Sequence, residues 1–159
     1  FRAGGFDFVT GVQVYLYVLE VEEALAEVAR VLRPGGRAVV VDTDWDSCVW
    51  RTADPARHRR VMEARLGHFA HPHLPPRLPG LLAKAGLALS RVEVIPIVNL
   101  RCEPGSFSVD LIGLTRRAAV EHGLPVAEAE AWEADLRGRT QDGDYFFSVS
   151  RFLFLAVKG

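Results

Sequence analysis

RVLRPGGRAVVVDTDWDS, residues 30–47, is the stretch of this chain that decides how its fold is interpreted. The Pro-Gly-Gly sequence at 34–36 stops the preceding helix, because proline cannot continue a helix and glycine tolerates the reversal. The apolar run 37–43 lies between breakers, which is typical of a short strand that is covered on both faces. The stretch therefore predicts a helix, a sharp stop and a buried strand, followed by acids clustered around Trp45.

The flanking sequence extends this alternation of strands and helices. Residues 6–18 are apolar and rich in β-branched and aromatic types, which favours a buried strand and the segment leaving it. Apolar side chains recur at helical spacing from Val21 to Leu32, with glutamates in the first turn and arginines in the last. Asp54, followed by proline, predicts the start of a second helix that ends near Gly67.

Further elements follow the same alternation. They are a helix over 78–86, a strand over 87–100 that Pro96 weakens as a central strand, a helix closed by Gly123, a helix over 126–138 and a strand over 145–158. This order predicts an α/β fold with a largely parallel sheet, in which ligands lie beyond the carboxyl ends of the strands.

Length and composition limit the class of protein. The 159 residues, 49% of them apolar and 25% charged, predict a single globular domain, 1–159, with its own core. A net charge of −1 gives no basic field for a nucleic acid or an anionic membrane, and no apolar stretch is long enough to span a bilayer. Cys48 and Cys102 form neither a disulfide framework nor a zinc spacing, which favours a reducing cytoplasm. The arginine-rich, lysine-poor composition suggests a bacterial genome rich in G and C.

The segment GGFDFVTGVQVYLYVLEVEEALAEVARVLRPGGRAVVVDTDWDS, residues 4–47, resembles the class I S-adenosylmethionine-dependent methyltransferases, in particular the small-molecule group that includes quinone-biosynthesis enzymes. Its FDFV strand, its RVLRPGG helix end and its RAVVVD strand look like that family's fourth strand, following helix and fifth strand. LPGLLAKAGL and YFFSVSRFLFLAVKG look like a later helix and the closing antiparallel hairpin strand. The resemblance implies the carboxyl-terminal part of a Rossmann-like sheet, mostly parallel with an antiparallel closing strand, and helices on both faces.

In this family the cofactor lies against a glycine-rich loop after the first strand and an acidic residue after the second. Neither element precedes Phe1, and the chain has no G-x-G-x-x-G or G-x-G-x-G motif. We therefore expect a fragment of a longer methyltransferase that is inactive alone. The outer edge of its first strand is expected to be bare and prone to association, a homodimer included.

The resemblance implies S-adenosylmethionine as the cofactor, with Thr10, Gly11 and Gln13 beside it at the end of the first strand. Gly11 permits close backbone approach, and the Gln13 amide can donate and accept hydrogen bonds in one plane. An ordinary exit from strand to loop is the alternative for these residues.

Methyl transfer requires positioning and, where the acceptor is protonated, a general base. Asp44 and His73 are the predicted catalytic residues. Asp42, Trp45 and Tyr145 are the predicted substrate contacts, with Trp45 as a stacking wall for an apolar acceptor. Helix capping or a solvated loop is the alternative for the acids, and core packing is the alternative for Tyr145.

No metal site is expected, because the spacing of His68, His71 and His73 does not suit one helix face and nothing completes a ligand set. The predicted function is methyl transfer to a small apolar or aromatic metabolite. Half of a doubly wound dehydrogenase fits the order of elements less well. A non-catalytic interaction module that kept the methyltransferase scaffold is the remaining alternative.

Overall fold

A computed structural model describes residues 1–139 and 143–159. Its strands are β1 (Phe6–Val12), β2 (Leu32–Trp50), β3 (Leu87–Asn99) and β4 (Phe147–Lys158). Its α-helices are α1 (Val21–Val31), α2 (Pro55–Leu66), α3 (Leu78–Lys84), α4 (Phe107–Glu121) and α5 (Val126–Gly138), and short 3-10 turns lie at Tyr15–Tyr17 and Pro75–Arg77. The predicted alternation of strands and helices is confirmed. Within the described ranges, no helix is both long enough and apolar enough to cross a bilayer.

The four strands form one mixed sheet in the order β1-β2-β4-β3. β1 and β2 pair in parallel. β4 runs antiparallel to β2, because Lys158 Nζ donates to the Leu32 carbonyl at 2.7 Å while Arg151 Nε donates to Thr43 Oγ1 at 3.3 Å. The α/β sheet with an antiparallel closing strand is therefore confirmed.

The Pro-Gly-Gly sequence lies inside β2, at an irregularity in its pairing with β1. Phe6 pairs with Leu32 and Phe8 with Arg37, so the four residues 33–36 of β2 lie opposite a single residue of β1. This is a bulge larger than the usual single inserted residue. The extra residues of β2 account for the change of register between the Phe6–Leu32 pair and the regular pairing that begins at Phe8 and Arg37.

Glycine is required twice in this bulge. Gly35 has a φ of +72°, and a Cβ on Gly36 would lie 2.8 Å from the Arg33 carbonyl oxygen. Arg33 Nε also contacts the carboxylate of Asp7 at 2.5 Å across the bulge. The predicted stop is therefore a distortion of the strand, since α1 has already ended at Val31.

β2 is longer than the predicted strand over 37–43, because it continues to Trp50. β1 pairs with it only as far as Val12 opposite Val41, and β2 then continues beside β4. The acids predicted to form a tip after the strand lie within it instead. Their polar character suggested a loop, whereas pairing with a distant strand keeps the backbone extended.

The local helix and strand signals agree with the structure. The Asp54 carboxylate accepts a hydrogen bond from the Arg57 N–H at 2.9 Å, and Pro55 occupies the first position of α2. Pro96 lies in β3, the last strand of the sheet order, where a missing N–H is tolerated.

The chain divides into two compact units. The first unit comprises Phe1–Asp46, Ala70–Pro96 and Ser150–Gly159, and it contains β1, α1, α3 and most of the other three strands. Its core is mostly aliphatic, with Tyr15, Trp45 and Phe154 as buried aromatic residues. The fully buried aliphatic side chains include Leu16, Leu25, Leu32, Val40, Leu74, Leu78 and Leu82.

The second unit comprises Ser47–Phe69 and Ile97–Val149. Its helices α2, α4 and α5 pack on one another. Trp50 meets Trp132 edge to face, with ring centroids 5.5 Å apart, and it lies 4.7 Å from the Phe147 ring. The prediction of a single domain remains a prediction.

The first testable prediction concerns β1, which ends the sheet order and exposes 38% of Phe6 and 51% of Phe8. An apolar strand at a sheet edge favours edge-to-edge association. We expect the 159-residue chain to associate as concentration rises, as measured by light scattering. Phe8→Lys should shift this association to at least severalfold higher concentration. Val126→Lys, at a similarly exposed valine of α5, is the control and should not. A monomer at every concentration would contradict the prediction.

Candidate functional site

The parallel pairing of β1 with β2 ends beside Gln13 and Asp42. The Gln13 N–H donates to the Val41 carbonyl at 2.8 Å and so extends the parallel ladder by one hydrogen bond. Gln13 has a φ of +55°, a left-handed conformation that costs a non-glycine residue about 1–3 kcal/mol. Such strain is frequent at functional sites, and this one lies at the sheet edge where α/β folds bind ligands.

A short chain of hydrogen bonds fixes the Gln13 side chain. Arg151 Nε donates to Thr43 Oγ1 at 3.3 Å, and Thr43 Oγ1 donates to Gln13 Oε1 at 2.9 Å. Because the Gln13 oxygen is engaged in this way, its Nε2 is the end of the amide that remains for a ligand. Nε2 is buried and has no hydrogen-bond partner in the described part of the chain.

The Asp42 carboxyl group is fully buried. Its Oδ1 accepts a hydrogen bond from the Thr43 N–H at 3.0 Å, whereas its Oδ2 has no hydrogen-bond partner among residues 1–139 and 143–159. Burial raises the pKa of Asp42 to about 6, opposed by the backbone N–H groups of Thr43 and Leu16 and by the charge of Arg151. An unsatisfied buried polar atom of this kind costs about 1–3 kcal/mol or more.

Gln13 and Asp42 therefore present one buried donor and one buried acceptor at the same sheet edge. Native proteins rarely leave such atoms unpaired, and a perturbed carboxyl pKa in such a place favours a functional site. A polar ligand that accepts from Gln13 Nε2 and donates to Asp42 Oδ2 would satisfy both atoms.

The other two predicted cofactor residues differ in their surroundings. Thr10 is exposed on β1. Gly11 is buried, and a Cβ added to it would lie 2.4 Å from Cε2 of Tyr15. The missing side chain of Gly11 therefore makes room for an aromatic ring of the same chain. Contact of Thr10 and Gly11 with a cofactor remains a prediction.

The two predicted catalytic residues are connected through a third residue, Asp46. Asp44 Oδ1 accepts a hydrogen bond from the Asp46 N–H at 3.2 Å, and Asp46 Oδ2 lies 2.6 Å from Nδ1 of His73. Both partners of this carboxylate–imidazole pair are about half exposed, with 59% of the Asp46 and 52% of the His73 side chain accessible. A carboxylate on one imidazole nitrogen orients the ring for proton transfer at the other.

The two predicted aromatic contacts are both buried. Trp45 is only 6% exposed in the first unit. Tyr145 lies in the second unit, where its hydroxyl accepts a hydrogen bond from Nε1 of Trp50 at 3.3 Å. Burial raises the pKa of the Tyr145 hydroxyl. These contacts agree with the core-packing alternative for Tyr145, and substrate contact by either residue remains a prediction.

Two polar residues of the site were not predicted. Arg151 interrupts the apolar run of β4, and an isolated arginine in such a strand is a signal that could have identified it. Thr43 gives no such signal, because threonine is ordinary in a strand. Within the described ranges, no group of three or more His, Cys, Asp or Glu residues is arranged to hold a metal ion.

Comparison with known proteins bears on the family and the fold of the chain. Residues 1–40 match the methyltransferase domain family. A 37.1 kDa protein of transposon TN4556 from Streptomyces fradiae is 29% identical over 159 residues, which cover 96% of this chain and 44% of that protein. The chain thus spans less than half the length of this curated relative.

Two solved structures share the fold. A protein from Bacillus halodurans, to which methyltransferase activity has been ascribed, superimposes with a TM-score of 0.60 and 15% identity, covering 99% of this chain and 72% of its own. Phosphoethanolamine N-methyltransferase 2 of Haemonchus contortus, solved with S-adenosyl-L-methionine, has a TM-score of 0.50 and 13% identity, with coverages of 99% and 34%. The resemblance to class I methyltransferases is confirmed by the family match at the amino end and by the fold.

The second testable prediction follows from the pKa of Asp42, about 6 in the folded chain against an ordinary value of 3.8. Between these values the folded state binds a proton that the unfolded state has released, so stability falls as pH rises from about 4 to 6. The penalty is fully present above pH 6. Asp42→Asn should therefore raise the free energy of unfolding at pH 8 more than at pH 4. The difference between its effects at the two pH values should be about 3 kcal/mol.

Urea denaturation of both proteins at the two pH values measures this difference. Asp7→Asn is the matched control, because Asp7 is an exposed carboxylate paired with Arg33. Its effect on the free energy of unfolding should be small, within about 1 kcal/mol. Equal effects of Asp42→Asn at pH 4 and pH 8 would contradict the assigned burial of the charge.

Proposed function

We propose that this chain is the carboxyl-terminal part of an S-adenosylmethionine-dependent methyltransferase that modifies a small molecule. One observation supports this most strongly. Gln13 Nε2 and Asp42 Oδ2 are buried and have no hydrogen-bond partner among the described residues, and both lie where the parallel pairing of β1 with β2 ends. They lie at or directly after the residues that match the methyltransferase domain family.

The residues at this edge suit the cofactor chemically. S-adenosylmethionine supplies a methyl group activated by a sulfonium, and it presents carboxylate, ammonium, hydroxyl and adenine groups for hydrogen bonding. Gln13 Nε2 can donate to an oxygen or nitrogen acceptor among these groups. We assign Thr10, Gly11 and Gln13 to the cofactor side of the site.

The methyl acceptor is assigned to the neighbouring part of β2, with Asp42 and Trp45 as its proposed contacts. Tyr145 belongs to the second unit, and its contact with a substrate stays a separate prediction. The Asp42 carboxylate can accept a hydrogen bond from a hydroxyl or amine and so orient it. Orientation of this kind is the main task of the protein when the methyl group is already activated.

Removal of a proton from the acceptor is assigned to the His73 imidazole, with Asp46 as its positioning residue and Asp44 as the second catalytic candidate. The 2.6 Å contact between Asp46 and Nδ1 of His73 leaves Nε2 as the nitrogen available to the acceptor. A positioned general base of this kind contributes about 10²–10⁴-fold in rate.

The third testable prediction concerns cofactor affinity, measured by calorimetry on a polypeptide that contains these 159 residues and a glycine-rich loop. Gln13→Glu keeps the oxygen that accepts from Thr43 but removes the Nε2 donor. We expect it to weaken S-adenosylmethionine binding about tenfold, from the loss of one hydrogen bond and an added negative charge.

Glu130→Gln is the control, because it makes the reverse exchange of amide and carboxylate at an exposed position of α5. The 159 residues alone, which have no glycine-rich motif, should bind the cofactor below the detection limit. Undiminished affinity of the Gln13→Glu protein would remove Gln13 from the cofactor site. Absence of any cofactor binding by the longer polypeptide would overturn the proposed function.

The fourth testable prediction concerns catalysis by that longer polypeptide. His73→Gln should lower kcat for methyl transfer about 10²-fold or more while leaving cofactor affinity unchanged. Asp46→Asn should lower kcat less, because it disturbs the orientation of the imidazole without removing it. Both rates are measured at saturating cofactor, so that binding losses do not enter.

His68→Gln, at an exposed histidine of the second unit, is the matched control and should keep the original rate. A His73→Gln protein with full activity would exclude His73 as the base. It would leave Asp44 as the base, or transfer by proximity alone.

A further inference from the structure

The first unit contains a cavity of about 240 Å³, to which the proposed function assigns no ligand. Prolines at 75, 76 and 79 form one wall, and Val92, Phe152 and Phe154 line the sheet side. The two phenylalanine rings are stacked, with centroids 6.3 Å apart and planes inclined by 27°. The lining is therefore mostly apolar and partly aromatic.

Asp44 is the one charged residue of this lining. Its Oδ1 accepts a hydrogen bond from the Asp46 N–H at 3.2 Å, which helps to fix the orientation of the carboxylate. A carboxylate beside aromatic rings attracts an organic cation in two ways, by a charge-assisted hydrogen bond and by cation–π contact. An anion would meet repulsion from Asp44 and no cation among the lining residues.

We propose that this cavity binds a small apolar molecule with a protonated amine, its hydrocarbon body between the prolines and the phenylalanines and its ammonium on Asp44. The volume lies just below the range of about 300–1,000 Å³ that is usual for drug-sized ligands, so the molecule is compact. The inference is independent of the proposed function, because neither Asp42 nor Trp45, the residues of β2 proposed to contact the methyl acceptor, lines this cavity.

The experiment compares three probes of similar shape and different charge. They are 2-phenylethylamine, 2-phenylethanol and 3-phenylpropionate, titrated into the 159-residue chain at pH 7 and followed by saturation-transfer and chemical-shift NMR. We expect the amine to bind about tenfold more tightly than the alcohol, and the propionate to bind more weakly than either.

Two variants separate the parts of the site. Asp44→Asn should reduce the amine's affinity to that of the alcohol while leaving the alcohol unchanged, and Asp7→Asn is the control for the loss of one carboxylate. Val92→Trp fills the cavity from a half-exposed position and should weaken the amine and the alcohol alike. Equal binding of amine and alcohol to the original chain, or failure of either variant to change binding as stated, would overturn the proposal.

Its failure is distinguishable from failure of the proposed function, because cofactor binding by the longer polypeptide is a separate measurement. Cofactor binding without amine preference would overturn the amine site alone. Amine preference without any cofactor binding would overturn the methyltransferase and leave an amine-binding protein.

Discussion

The parallel pairing of β1 with β2 brings the Asp42 carboxylate into the interior, and the polar arrangement at this sheet edge depends on that placement. The last hydrogen bond of the pairing joins the Gln13 N–H to the Val41 carbonyl. It therefore places Gln13 beside Asp42, the residue that follows Val41 in β2. Thr43 then connects them, because its N–H donates to Asp42 and its hydroxyl to Gln13. The end of one strand pair thus holds two buried polar atoms, Gln13 Nε2 and Asp42 Oδ2, that have no hydrogen-bond partner in the described part of the chain.

The bulge at residues 33–36 makes this pairing compatible with the helix that precedes it. α1 ends at Val31, and Leu32 already pairs with Phe6. Without the extra residues the ladder would begin in another register, and in a strand a shift by one residue turns every side chain to the opposite face. Asp42 would then point to the opposite face of the sheet. Glycine at 35 and 36 allows the bulge to form, so a backbone constraint six to seven residues before Asp42 also contributes to the site.

The elements could be predicted from the sequence because their signals are local, whereas the site could not be fully predicted because its contacts are not. The cap at Asp54 and the glycines that end helices act within a few residues. By contrast, Gln13 and Thr43 are 30 residues apart, and Thr43 and Arg151 are 108 residues apart. The same difference explains why the predicted strand was shorter than β2. Its acidic second half has no local strand signal, and pairing with β4 keeps it extended. The sequence predicted that Gln13 and Asp42 lie at this edge. It did not predict that Gln13 Nε2 and Asp42 Oδ2 are buried without a partner among the described residues, because that depends on packing.

The strained Gln13 and the buried Asp42 bear on the choice between an enzyme and a scaffold that has lost its ligand. Each costs stability: Gln13 through its left-handed backbone, and Asp42 through the burial of an oxygen without a partner. Asparagine at 42 would relieve the burial of charge, and glycine at 13 would relieve the strain, each by a single substitution. Strain and buried polar atoms cluster at functional sites, so two costly residues joined through one threonine favour the proposed enzyme over a scaffold without a polar ligand at this edge. The proposed cofactor on Gln13 and the proposed acceptor on Asp42 would each stabilise the folded chain by the hydrogen bond with which it is recognised.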